Sequence, residues 1–318
     1  MPSTLFSLGS INADFQVRLD SSPGSRETLL AHEFLRLSGG KAANTAYLGA
    51  VFGHDSRLLG RVGDDDLAEQ VLAPLRDAGV DLGGVSRSPH GATAVSMIMV
   101  PPDNKKLIVL APNANDQWDE DACLRALSPL GATRGRACLA LDYEVPAWVV
   151  RRAIETADTH GVPVILDPSF PDRLERDLLT RVAALTPNVE EAAALLGEKT
   201  LDSHEASARG ALRLCDEGVA LVCIKLADGG CVLAENGRAH LIPPEPVEPV
   251  DTTGAGDAFT GVFAIARLEG REPLEAAAWG VAAANLAVTG YGSQPAYAGR
   301  ERVEALAGKL LRQARRLA

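Results

Sequence analysis

From about Leu130 onward, short runs rich in Val, Ile, Leu and Ala alternate with longer stretches of helical period. The strand-like runs are ACLALDY (137–143), VPVILDP (162–168), AALTPN (183–188) and VALVCIKLA (219–227). Between them PAWVVRRAIETADTHG (146–161), RLERDLLTRV (173–182) and VEEAAALLG (189–197) read as helices. Runs that are apolar on both faces and separated by amphipathic helices predict an α/β fold: a doubly wound, mostly parallel central sheet with helices on both faces. Ligands bind beyond the carboxyl ends of such strands, which makes Asp142, Glu144, Asp167 and Asn188 site candidates by position alone.

The first third of the chain reads differently. NADFQVRLD, HEFLRLSGG, ATAVSMIMV and KKLIVLAP are shorter and more alternating, as strands of a small sheet are. They predict a β-sheet lid built from segments near 12–20, 27–38 and 92–112. With no internal repeat and no low-complexity linker, the expectation is one domain over 1–318 with the lid inserted into it.

Two glycine-rich stretches carry candidate chemistry. SGGKAANTA (38–46) is not a nucleotide P-loop: with Lys41 as the loop lysine, Leu35 would replace the first glycine and Ala42 the magnesium-binding Ser or Thr. It still offers a helix start with close backbone access. In PVDTTGAGDAF (249–259), Gly254 and Gly256 let the backbone approach a ligand, and an apolar helix beginning near Asp257 aims its N–H groups and dipole at that place. Asp257 could simply cap this helix. Capping explains neither the two glycines nor a second aspartate, Asp251, at the same turn.

GSINADF, GGKAAN, GRVGDDD, TPNVEEA, DTTGAGDAF and VTGYGSQPA follow one another in an order and approximate spacing that resembles the ribokinase-like (PfkB) carbohydrate kinases, over nearly the whole chain from Gly9 to about Ala296. Each motif alone is only moderately specific; the six in order are much more so. The resemblance, closest to the ribokinase branch, implies a central sheet of about nine strands or similar, a β lid over the sugar, and ATP-dependent phosphorylation of a primary hydroxyl. Asn12, Asp14, Gly40, Lys41, Asn44 and Glu144 would then bind the sugar. Gly254, Ala255 and Gly256 would form the anion hole, with Asp257 the catalytic base. Asn188, Lys225, Ala227, Gly230 and Gly256 would face the nucleotide, and Glu191 would organise Mg2+ through water. Asp251, Thr253, Ala287, Gly290 and Gly292 would surround a monovalent cation, K+.

Physical chemistry agrees with these roles. Sugar recognition needs donors and acceptors together, which Asn, Asp, Lys and Glu supply. Phosphoryl transfer needs positioning and charge neutralisation, and a carboxylate beside an anion hole makes sense if it takes the attacking hydroxyl's proton. The chain departs from the family pattern at Ala227, where a glycine is usual, and at Ala296, where ribokinases have a serine that bears on the cation site.

The implied acceptor is D-ribose. Alternatives are a nucleoside, fructose or 2-keto-3-deoxygluconate, or a catalytically idle sugar-binding regulator, against which the intact GAGD turn argues. No G-x-G-x-x-G follows the first strand, which disfavours a nicotinamide dehydrogenase. GDDD (63–66) reads as a helix cap with solvated charge, since consecutive acids do not converge on one helix face.

Composition narrows the setting. The chain has 318 residues, ample for a core, and a net charge of −11, which opposes nucleic-acid and anionic-membrane partners. The basic tail GKLLRQARRLA reads as a terminal helix packed by its leucines. Five cysteines without a C-x-x-C pair read as reduced core residues, and six histidines show no metal-ligand spacing. With neither a signal-like N-terminus nor roughly eighteen uninterrupted apolar residues, the expectation is a cytoplasmic protein whose partners are a small sugar and ATP. A homodimer through the lid is allowed.

Overall fold

The computed structural model describes residues 3–22, 24, 28–102, 106–133 and 135–318. Residue 27, at the start of one expected lid segment, and residues 103–105, inside another, lie outside the described residues. The larger of the two sheets is 10-stranded. It contains β1 (Thr4–Leu8), β4 (Asp55–Val62), β5 (Asp81–Arg87), β8 (Ala137–Asp142), β9 (Val164–Asp167), β10 (Ala184–Leu185), β11 (Leu221–Lys225), β12 (Cys231–Glu235), β13 (Arg238–Ile242) and β14 (Arg315–Arg316). Its order is β14-β13-β12-β11-β10-β9-β8-β1-β4-β5, parallel from β5 to β11 and antiparallel beyond.

The helices are α1 (Lys41–Val51), α2 (Asp66–Asp77), α3 (Glu120–Ala132), α4 (Ala147–Thr159), α5 (Val189–Leu196), α6 (His204–Asp216), α7 (Ala255–Leu268), α8 (Pro273–Ala287) and α9 (Arg300–Gln313). Alternation along the strands divides the core between two faces. Leu139 and Leu141 of β8, with Val222 and Ile224 of β11, pack against α3 to α6. Cys138, Ala140, Leu221 and Cys223 face α7, α8 and α9. All five cysteines are free, and four are buried.

The second sheet has the order β3-β2-β6-β7, made of β2 (Asn12–Leu19), β3 (Ala31–Gly39), β6 (Ala94–Val100) and β7 (Leu107–Ala111). The β2/β3 and β6/β7 pairs are antiparallel, while β2 and β6 run parallel. Asn12, Asp14, Gln16 and Arg18 share one face of β2 by period 2.

Three expectations need correction. RLERDLLTRV is not an α-helix but contains a 3₁₀ segment, Arg176–Arg181, because Leu178 and Leu179 are its only buried residues and give too narrow a stripe to stabilise longer helix. The basic tail leaves its helix at Gln313, and Arg315–Arg316 extend the sheet edge, with Leu317 N–H donating to Ala239 O at 2.8 Å. α7 starts at Ala255, two residues before the expected Asp257. Asp65 caps α2 as expected, accepting from Ala68 N, and also accepts from Thr93 N and Oγ1.

Candidate active site

The site grows from the turn before α7. Gly254 is the helix cap, at φ 74°, and no side chain closes that end, so Asp257 sits inside the first turn and does not cap it. A Cβ at Gly254 would lie 2.6 Å from both Ser293 Cβ and Tyr297 Oη, so this position needs glycine for space as well as for its left-handed backbone. Tyr297 Oη donates to Gly254 O at 3.0 Å and fixes the turn. Amides of a helix's first turn lack intrahelical partners, and apart from a long Ala255 N–H bond to Thr252 O at 3.4 Å, Gly254 to Asp257, which line a cleft of about 900 Å3, offer N–H groups and the positive end of a dipole.

Asp257 Oδ2 accepts from Asn44 Nδ2 at 2.7 Å, and Oδ1 lies 3.5 Å from Lys41 Nζ. Asn44 is itself held: Gln294 Nε2 donates to Asn44 Oδ1 and to Ser38 Oγ, each at 3.1 Å. Below the cleft, Asp167 at the end of β9 meets Lys41 Nζ at 3.3 Å, Lys225 Nζ at 2.7 Å and Thr260 Oγ1 at 3.2 Å. Burial alone would raise the Asp167 pKa, but Lys225 and Lys41 outweigh it and lower it. Burial likewise opposes charge on Lys41, yet Asp167, Asp257, Glu191 and Glu144 raise its pKa well above the ordinary lysine value. Lys41 is thus fixed as a cation beside Asp257.

β2 forms one wall. Asn12 Nδ2 donates to Glu144 Oε2 at 3.4 Å, while Asn12 Oδ1 accepts from Asn115 Nδ2 at 2.8 Å. Asp14 is buried against Gly39, where a Cβ would come within 2.0 Å of its Oδ2, so only glycine admits the carboxylate. Burial pushes the Asp14 pKa up to about 7, and its Oδ1 has no hydrogen-bond partner among the described residues. Glu144 is also raised, by burial first. Asp142, in contrast, lies under this floor and accepts from Ser10 N at 3.1 Å and Glu144 N at 2.8 Å; it shapes the loop without lining the cleft.

At the far end, Lys225, Ala227 and Gly230 line the cleft with Leu226, Pro244, Pro246, Val247, Ala284 and Val288, an apolar slot suited to a flat heterocycle. Asn285 clamps it, donating to Gly229 O at 2.8 Å and accepting from Glu245 N at 2.6 Å. Asn188 and Glu191 form a reciprocal capping box at the start of α5, and burial followed by Asp167 raises Glu191.

Asp251 is buried behind the turn. Its Oδ1 accepts from Thr253 N at 2.9 Å and Thr253 Oγ1 at 2.7 Å; its Oδ2 accepts from Gln16 Nε2 at 2.7 Å and Gly292 N at 3.0 Å. Burial opposes its ionisation, but these donors lower its pKa. The Ala287–Gly292 loop closes on it, with Gly290 N donating to Ala287 O at 3.2 Å.

The expected sugar, anion-hole and nucleotide residues therefore converge on one cleft, while Asp251 and its loop lie just behind. Asn115, Gln16, Gln294, Asn285 and Tyr297 were not foreseen. Of these, Gln294 lies within a recognisable motif and Gln16 and Tyr297 directly follow one; for Asn115 and Asn285 no local pattern marks the contact.

A flat apolar slot, a helix N-terminus and a polar, carboxylate-rich pocket meeting at Asp257 define, with this fold, a carbohydrate kinase. The chain belongs to the pfkB family of carbohydrate kinases, whose model matches residues 3–298. It is 31% identical over 294 residues to a ribokinase of Haemophilus influenzae, covering 92% of this chain and 95% of that one. Ribokinase from Thermotoga maritima superposes with a TM-score of 0.81 at 30% identity, covering 97% of this chain and 100% of that one. A structure of Arabidopsis thaliana ribokinase complexed with ribose and ATP gives 0.80 at 30% identity, with 98% of each chain covered. Among the described residues no helix is long and apolar enough to cross a membrane.

Proposed function

We propose that the protein transfers the γ-phosphate of ATP to a primary hydroxyl of a small sugar, with D-ribose the leading acceptor and ribose 5-phosphate the product. The observation that carries this reading is the convergence of Asn12, Asp14, Asn44 and Glu144 on the space in front of Asp257. The solved relative described with ribose and ATP supports the same choice of substrates.

In this reading, Asp14 and Glu144 accept from sugar hydroxyls, while Asn12, Asn44 and Lys41 supply donors and Gly40 gives room. Asp257 orients the reacting hydroxyl and takes its proton, and the N–H groups of Gly254 to Gly256 stabilise the transferring phosphoryl group. Lys225, Ala227, Gly230 and Asn188 border the nucleotide. No group of three or more His, Cys, Asp or Glu able to hold a metal occurs among the described residues. Asn188 and Glu191, which line the cleft, would hold Mg2+ chiefly through water, with phosphate oxygens as its other donors, where it would neutralise phosphate charge.

A monovalent cation is less well served by Asp251, whose carboxylate already accepts four bonds. K+ at this place would rest on backbone oxygens of Thr253, Ala287, Gly290 and Gly292. The outer face of the second sheet suits a homodimer.

ADP release measured across ribose, deoxyribose, fructose, 2-keto-3-deoxygluconate and nucleosides, in potassium and in sodium, tests the proposal. Ribose should give the highest kcat/KM, and Asp257→Asn should fold, keep nucleotide binding and lose ~10²–10⁴ in turnover. A higher kcat/KM for another acceptor overturns the ribose assignment. Retention of more than about a tenth of native turnover by a folded Asp257→Asn is too small a loss for a missing base.

A further inference from the structure

The cleft holds a cation that the residues discussed so far do not use. Lys106 directly precedes β7, on the second sheet, yet lines the same cleft as Gly254 to Asp257. Its ammonium donates to the backbone carbonyl of Thr252 at 3.0 Å, two residues before the cap of α7. The other two lysines lining the cleft are committed to carboxylates: Lys41 to Asp167 and Asp257, Lys225 to Asp167. No such ion pair is formed by Lys106 among the described residues. A carbonyl dipole is a weak counterpart for a desolvated ammonium, and burial lowers the Lys106 pKa. The charge is therefore placed, and incompletely answered, beside the turn that offers its N–H groups to an anion.

Resting on the kinase reading above, we propose that Lys106 is a ligand of the transferring γ-phosphoryl group, delivered from the second sheet to complete the phosphate site formed by the start of α7. Backbone N–H groups approach that group from the main body, and Lys106 approaches from the lid side, so the charge developing on the equatorial oxygens meets donors on two sides. The γ-phosphorus exchanges its bond to the bridging oxygen for one to the acceptor oxygen, the acceptor's proton passes to Asp257, and Lys106 remains an ammonium throughout. Its charge also acts on Asp251, Asp257 and Asp14, so the same group lowers the cost of bringing an anion among these carboxylates.

An anionic acceptor, such as a sugar phosphate or sugar acid, would offer Lys106 the same chemistry. Its bond to Thr252 O, on the phosphoryl side of the turn, favours the nucleotide's terminal phosphate as the source.

The test compares wild type, Lys106→Met and Lys106→Arg. Calorimetry with ADP and with a non-hydrolysable ATP analogue, without any acceptor, reads the terminal phosphate alone. Lys106→Met should bind the analogue ~10-fold more weakly, with ADP within about twofold, and should lose ~10²-fold in kcat, as loss of one oxyanion donor does. Lys106→Arg should recover part of both, because the charge returns. Equal losses for ADP and the analogue would reduce Lys106 to a tether of the Thr252 turn and overturn the proposal. A loss confined to the KM of anionic acceptors would move the contact to the acceptor and also overturn it. The binding arm needs no sugar, so an error in the ribose assignment leaves the Lys106 result readable.

Discussion

Asp14 carries the most consequential perturbation of a single residue in the site. Burial against Gly39 pushes its pKa up to about 7, so this carboxylate gains or loses its proton near neutral pH. The sign of the linkage follows from the raised value: the folded chain holds the Asp14 proton more tightly than the unfolded chain. Asp14 therefore favours the folded state fully below the unfolded pKa, and that advantage is lost as pH rises from about 4 to about 7. The integrated effect is on the order of 4 kcal/mol. Urea denaturation of wild type and Asp14→Asn at about pH 5 and about pH 8 should show the Asn variant gaining on wild type as pH rises. A stability difference independent of pH would show that the carboxyl titrates normally. Asp257 stood out in the sequence because its turn is a local motif, whereas Asp14, Lys41 and Asn44 were singled out only by the resemblance to the family. Gln16, Asn115 and Lys106 were not, since their partners are Asp251, Asn12 and Thr252, distant in the chain, and only folding brings them together.

Among elements, α7 is the one whose first turn is proposed to hold phosphate, and its placement depends on a backbone that only glycine takes readily. Gly254 and Gly197 make an internal comparison. Both are left-handed, at φ 74° and φ 67°, but a Cβ on Gly197 at the end of α5 meets nothing within 4 Å, whereas one on Gly254 meets Ser293 and Tyr297. Gly197→Ala should cost only the left-handed backbone penalty, about 1–2 kcal/mol, with turnover intact. Gly254→Ala carries that cost and also displaces the turn proposed to present N–H groups to phosphate, so kcat should fall ~10²-fold or more. Melting curves and steady-state rates on both variants separate the effects; equal activities would mean that the turn tolerates displacement. The elements were largely legible: β8, α4, β9, α5 and β11 fall where alternation and periodicity put them. The 3₁₀ segment was not, because helical period in RLERDLLTRV was supplied mostly by charged residues that pair on the surface, such as Asp177 with Arg151 at 2.9 Å. Nor could periodicity have told that β2 and β6 run parallel, since pairing direction leaves no mark on a single strand.

At the scale of the molecule, the two sheets meet through the turn before α7, with Gln16 reaching Asp251 and Lys106 reaching Thr252. That uses one face of the second sheet. The other presents Phe34, Met97, Leu107 and Val109 at 57%, 59%, 48% and 54% exposure, in neighbouring registers where Met97 opposes Val109 and Met99 opposes Leu107. A sheet face this apolar ordinarily has a second layer over it. A second copy of the chain would supply one by two-fold symmetry, laying the same patch against itself. Analytical ultracentrifugation should accordingly give twice the chain mass for wild type. Met97→Glu with Val109→Glu, which would bury like charges across the axis, should give the monomer while far-UV circular dichroism stays unchanged. Because Asp14 on β2 and Lys106 just before β7 lie on the cleft side of this sheet, the monomer should also bind the acceptor more weakly than the dimer, although neither substitution touches the cleft. A monomeric wild type, or a dimer that survives both glutamates, would place the covering of this sheet elsewhere.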